Sequence, residues 1–170
     1  MSAALLILLT LSVLMMGCAT PQQTSAAPFT VSLDVSPAVN PDGHGRPAPI
    51  LVGLYDLKSS AAFSASGFAP LQDRAKATLG DDLVALDQMI LRPGEQRTIE
   101  RLGNSQTRSL GIVAGYRELN QSVWRAVVAV PAGDDPGFFS FWPFEPQPLV
   151  VHATIGDSGI VVRILNRDAR

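Results

Sequence analysis

Short stretches in which every second residue is apolar dominate this chain, and glycine or proline marks almost every gap between them. Phe29, Val31, Leu33 and Val35 share one parity, with Thr30, Ser32 and Asp34 between them. Successive strand side chains point to opposite faces, so this is the pattern of a strand half buried on a core. Residues 50–57 are apolar on both parities, as a central strand covered on both sides would be. Leu110, Ile112, Ala114 and Tyr116 alternate again, and so do Trp124, Ala126, Val128 and Val130; their shared parity predicts Trp124 buried beside Val128 and Val130. Residues 87–91 and 96–102 flank Arg92-Pro93-Gly94-Glu95, with the proline and glycine where a type II turn wants them. Residues 149–155 and 160–165 flank a second turn, Gly156-Asp157-Ser158-Gly159. Alternation lapses only across residues 59–79, where residues 70–77 read as a short helix opening on Pro70 at its first position and stopping at Gly80. With 14 Gly, 13 Pro and only 16% charged residues, the whole reads as many short strands joined by tight turns. The prediction is mainly β: a sandwich of two antiparallel sheets, about eight strands, with a short helical insertion near residues 59–80.

The N-terminus follows a different rule. Leu5 to Met16 is apolar except for Thr10 and Ser12 and ends at Gly17-Cys18. That is a signal-peptide length, too short for a bilayer crossing, which needs roughly 20 apolar residues. A small residue directly before a cysteine at the end of such a run resembles a bacterial lipobox, in which the thiol is alkylated with diacylglycerol and the chain is cut before it. Met15 stands where leucine is usual in that pattern, and Met1-Ser2-Ala3-Ala4 has no Lys or Arg, so the true start is open. The other reading is an ordinary secretory signal with a chance cysteine. Cys18 is the chain's single cysteine, so it forms no internal disulfide and calls for another explanation. Ala19 rather than aspartate after it resembles the signal that sends lipoproteins on to the outer membrane. The expected organisation is a signal peptide over 1–17, a lipidated Cys18 with a Ser/Thr/Gln/Pro-rich tether to residue 28, a β-sandwich over 29–166, and a polar tail at 167–170.

Little here suggests catalysis. A formal net charge of -2 suggests neither a nucleic-acid partner nor an electrostatic membrane patch. The two histidines, His44 and His152, are far apart in sequence, and with Cys18 committed to lipid no Cys/His zinc site can form. Glycine-rich phosphate loops are absent, and Asp42-Gly43-His44-Gly45-Arg46 lacks the ligand spacing of a calcium loop. Asp81-Asp82 and Asp134-Asp135 are adjacent acids at turns, and His152 alternates with Val151 and Ala153 as a solvent-facing or sheet-edge residue would. The expectation is no enzyme, no cofactor and no small-molecule substrate. Phe138, Phe139, Phe141, Trp142 and Phe144 are too apolar for a solvated loop. They suit a cap on the sandwich, a partner surface, or contact with lipid headgroups.

Several segments, taken in order, carry a family resemblance: Gly17-Cys18; Asn40-Pro41-Asp42 followed by Gly45-Arg46-Pro47-Ala48-Pro49; residues 50–58; Leu79-Gly80-Asp81-Asp82-Leu83; Leu91-Arg92-Pro93-Gly94-Glu95; residues 110–117; and Trp124-Arg125-Ala126-Val127-Val128. The series, from about Val31 to Val130, resembles the outer-membrane lipoprotein of type VI secretion systems, the TssJ family. Residues 131–148 depart from it, being longer and more aromatic. The resemblance implies a transthyretin-like sandwich that faces the periplasm and is lipid-anchored in the outer membrane. It also implies a partner, the periplasmic C-terminal region of the inner-membrane protein TssM, and a contact loop between the first two strands. Here that loop spans residues 37–49, with Asn40, Asp42, His44 and Arg46 as its polar candidates. Its prolines favour binding, because a stiffened loop loses less entropy. The same residues also make a plain turn, and Arg46 could serve only a local ion pair. Two rival classes are a free-standing lipoprotein that binds a small ligand or inhibits an enzyme, and a transthyretin-like hydrolase of purine chemistry. The hydrolase would gather several His and Arg side chains in one groove.

Overall fold

The computed structural model describes residues 28–130 and 149–165. The signal segment, Cys18, most of the tether, the aromatic residues 138–144 and the tail lie outside the described residues. Among the described residues, eight strands form two four-stranded sheets. The first has the order β4-β1-β7-β8, from Gln96–Arg101 (β4), Phe29–Val35 (β1), Leu149–Ile155 (β7) and Ile160–Leu165 (β8). The second has the order β3-β2-β5-β6, from Leu83–Leu91 (β3), Ile50–Leu57 (β2), Ser109–Ala114 (β5) and Arg125–Ala129 (β6). Every pairing between named strands is antiparallel except β1 with β7, which run parallel in the register Phe29↔Leu149 to Val35↔Ile155. Alternation along one strand carries no direction for its neighbour, so the parallel pair was not readable from sequence.

The core lies between the sheets. Val31, Leu33, Val151, Ala153 and Ile155 from one sheet meet Val52, Leu54, Leu110, Ile112 and Val128 from the other, all buried. The connections 36–49 and 92–95 pass from one sheet to the other, as does 102–108.

A second apolar cluster explains why β2 is apolar on both parities. The helical insertion, Ala61–Ala65 (α1) and Phe68–Leu79 (α2), covers the outer face of the β3-β2-β5-β6 sheet and buries Tyr55, Leu57, Phe63, Leu71 and Val113. Two glycines make room for the rings. A Cβ on Gly111 would lie 2.6 Å from the Phe63 ring, and one on Gly53 2.8 Å from the Tyr55 ring. The Tyr55 and Phe63 rings sit 5.2 Å apart, and the Tyr55 hydroxyl donates to the Leu71 carbonyl at 2.9 Å.

Three expectations shift at their edges. The main helix starts at Phe68 with Gly67 as its cap, so Pro70 is its third residue rather than its first; proline is tolerated there because the first-turn amides have no helical acceptor anyway. β3 begins at Leu83, because Leu83 and Leu86 pack under the insertion and hide the alternation. Val128 and Val130 are buried in the core, but Trp124 is only half buried. It precedes β6 at the sheet edge, meets Phe68 edge-on at 5.6 Å, and carries the Arg125 guanidinium 4.8 Å from its ring centre.

Candidate partner-binding loop

Strand registers place four connections together at one end of the sandwich: 36–49, 92–95, 115–124 and 156–159. The chain enters β1 at Phe29, at the opposite end.

The loop 36–49 is built from its base outward. The Ser36 hydroxyl donates to Asp157 Oδ1 at 2.6 Å, and the Val39 side chain is fully buried in the core. Asn40 follows with φ +49°, a left-handed conformation that asparagine tolerates better than most residues. Its side chain is buried and paired on both sides: the amide donates to the Pro49 carbonyl at 3.0 Å, and Oδ1 accepts the Arg117 backbone N–H at 2.9 Å. The amide of Ala48 donates to the Val39 carbonyl at 3.1 Å, which closes the stem.

Asp42 organises the tip. Oδ1 accepts the backbone amides of His44 and Arg46 at 2.9 and 3.0 Å, and Oδ2 accepts Arg46 Nε at 2.9 Å, with Nη2 2.8 Å away. The Asp42 amide donates to the Arg46 carbonyl, and the Gly45 amide, at φ +75°, returns to the Asp42 carbonyl at 2.8 Å. The Arg46 amide, then its side chain, then the His44 amide hold the Asp42 carboxyl below the usual carboxylate range, and the charge of Arg117 adds to the effect. All these groups stabilise the ionised form.

The four candidate residues therefore divide. Asn40 fastens the loop to the domain from a buried position. Asp42 folds the tip. His44 and Arg46 face outward with Pro41, Gly43 and Pro47, and the Arg46 side chain is 75% exposed despite its ion pair.

The neighbouring turn joins this end through contacts that no local sequence pattern signals. Gly94 has φ +74° and the Glu95 amide donates to the Arg92 carbonyl at 3.0 Å, as a type II turn requires. Glu95 then repeats the logic of Asp42: Oε2 accepts the Arg92 amide at 2.9 Å and Oε1 the Arg97 guanidinium at 2.7 Å. Those two contacts, in that order, lower the Glu95 carboxyl's pKa. The Val35 amide donates to the Glu95 carbonyl and the Gly94 amide to that of Ser36, which ties the turn to the loop's base. The signal was an acid directly after a Pro-Gly turn, which sequence alone reads only as a solvated charge.

Among the described residues no group of three or more His, Cys, Asp or Glu side chains could hold a metal. His152 lies half exposed in the middle of β7, opposite Ser32 and Arg163.

Residues 27–155 match the family described as type VI secretion lipoprotein, VasD, EvfM, TssJ. The lipoprotein TssJ1 of Pseudomonas aeruginosa is 36% identical, covers 85% of this chain and 99% of its own, and superposes with a TM-score of 0.73. Lip of Serratia marcescens, a membrane-bound component of the type VI secretion system, is 29% identical over 85% of this chain and 99% of its own, with a TM-score of 0.71. A chain of a type VI membrane complex, 18% identical over 81% of this chain and 98% of its own, shares the fold with a TM-score of 0.64. No curated protein sequence matches the chain.

Proposed function

This chain belongs to the type VI secretion lipoprotein family, the TssJ family, and on that premise we propose that it fastens a trans-envelope secretion complex to the outer membrane. In this reading Cys18 carries the lipid and the domain faces the periplasm. The loop 36–49 binds the periplasmic C-terminal region of a TssM-like inner-membrane protein, and the chain catalyses nothing. The observation that carries the reading is the preformed tip, in which one carboxylate, Asp42, accepts two backbone amides and the Arg46 side chain. A loop shaped before contact loses little entropy on binding. It also presents an exposed histidine, an arginine and two prolines. The position supports the reading: β1 begins at Phe29, at the end opposite the loop, so a domain anchored through the residues before it can extend its loop end away from the lipid.

Replacing residues 40–46 by a Gly/Ser linker of equal length tests it. Affinity for the periplasmic region of TssM, measured by titration calorimetry, should fall at least tenfold, about 1.4 kcal/mol. Unchanged affinity, with the variant shown to be folded, would remove the loop from the interface.

A further inference from the structure

Beside the loop, an open cleft of about 590 Å³ runs between Pro49 and the β3–β4 corner. Pro49, Ile90 and Pro93 supply its apolar lining, and Arg92, Glu95 and Arg97 its charged lining. Ile90 is a strand residue left 69% exposed. Both walls are fixed from behind. Pro49 is the residue whose carbonyl Asn40 holds, and the Arg92–Glu95 turn is closed by its own carboxylate and tied to Ser36. The charge balance is one-sided. Glu95 spends its carboxylate on the Arg92 amide and on Arg97, while the Arg92 guanidinium has no carboxylate partner among the described residues. The cleft thus offers a guanidinium outside any close ion pair, its charge felt by Glu95 only at longer range, next to exposed aliphatic and proline surface. It is bounded by β3 and β4, which are edge strands of their sheets. An open trough of this kind cannot bury most of a small ligand, as small-molecule sites do, but it suits an extended chain.

We propose that this cleft is a second docking surface for the partner held by the loop 36–49, and that it takes an extended partner segment carrying a carboxylate beside an apolar side chain. The carboxylate pairs with Arg92, and the apolar residue covers Ile90 between Pro49 and Pro93. Pro49 belongs to both surfaces, so one partner can run from the loop tip into the cleft without a gap. This rests on the loop reading above, and the test separates the two.

The double variant Ile90→Ser, Arg92→Glu is titrated with the purified periplasmic C-terminal region of TssM at low and at physiological salt, beside the loop replacement. Both residues are exposed, so the thermal midpoint should stay near that of the unaltered domain. Affinity should fall at least tenfold, and its dependence on salt should become shallower, because an exposed attraction screened by ions has become a repulsion. If the cleft variant binds like the unaltered domain while the loop replacement weakens binding, the cleft is not an interface and the loop reading stands. If neither variant weakens binding, both surfaces are overturned.

Discussion

Gly111→Ala should destabilise this domain, and removing Phe63 should reverse the sign. Gly111 sits in β5 opposite Tyr55, and an added methyl would meet three Phe63 ring atoms at 2.6, 2.8 and 2.9 Å. Phe63 is fully buried in the cluster beneath the helical insertion, so the ring has no free space to enter. Overpacking of this kind costs about 1–3 kcal/mol. Without the clash the same change should help, since glycine inside a strand is worse than alanine by roughly 0.5–1 kcal/mol. Phe63→Ala alone should cost about 3–5 kcal/mol, as other large-to-small core changes do. The cycle therefore predicts that Gly111→Ala destabilises the unaltered protein and stabilises the Phe63→Ala protein, a coupling of about 1.5–4 kcal/mol between touching residues. Phe63→Leu is the milder partner if the alanine variant unfolds. Urea denaturation of the lipid-free domain measures all four corners. An equal effect of Gly111→Ala in both backgrounds would refute the argument that this glycine exists to seat the ring.

Cys18→Ser should move the protein from the membrane to the soluble periplasmic fraction with its domain folded, since in the proposed reading lipid alone is the anchor and the sandwich buries its own core; retention in the membrane would end the lipid reading. Arg101 links β4 to β3 and β2, at 2.6 Å from Asp87 and 3.9 Å from the buried Asp56, whose carboxyl burial pushes up despite the arginine. Arg101→Met should cost about 3 kcal/mol by leaving Asp56 buried without a counter-charge, and adding Asp56→Asn should recover part of it in denaturant titrations. Asp42 and Glu95 both have lowered pKa values in the folded state, so what they contribute is present above their unfolded values and is lost as pH falls through the folded ones. The amide resonances of His44 and Arg46 should accordingly titrate together in NMR spectra, with a midpoint below 3.8, the ordinary value for aspartate.

The sandwich was legible because two-residue alternation maps directly onto strand faces, and the clean strand β1 appears in the structure with its buried and half-exposed residues in strict turn. The insertion was legible as a break in that alternation. Its consequence was not: Leu83–Leu86 reads as a continuous apolar run only because α2 covers its outer face. Trp124 misled for a related reason, since parity assigns a face but not the distance from a sheet edge. Within the loop, breakers predicted a turn, and the structure supplies what composition cannot. Asn40 is a buried fastener and Asp42 an internal scaffold, which leaves His44 and Arg46 to face outward. The gathering of loop and β3–β4 corner at one end depends on how the two sheets pair, a long-range property that no local pattern encodes.

A photo-crosslinking residue placed at His44 tests the central claim most directly. His44 is exposed at the loop tip, and Asp73, exposed on α2 of the helical insertion, is the control position. In cells assembling the secretion complex, position 44 should yield an adduct containing the periplasmic region of TssM, and position 73 should yield none. Adducts from position 73 with none from position 44 would contradict the account, because the partner would then be held by the helical side of the domain and not by its loop end.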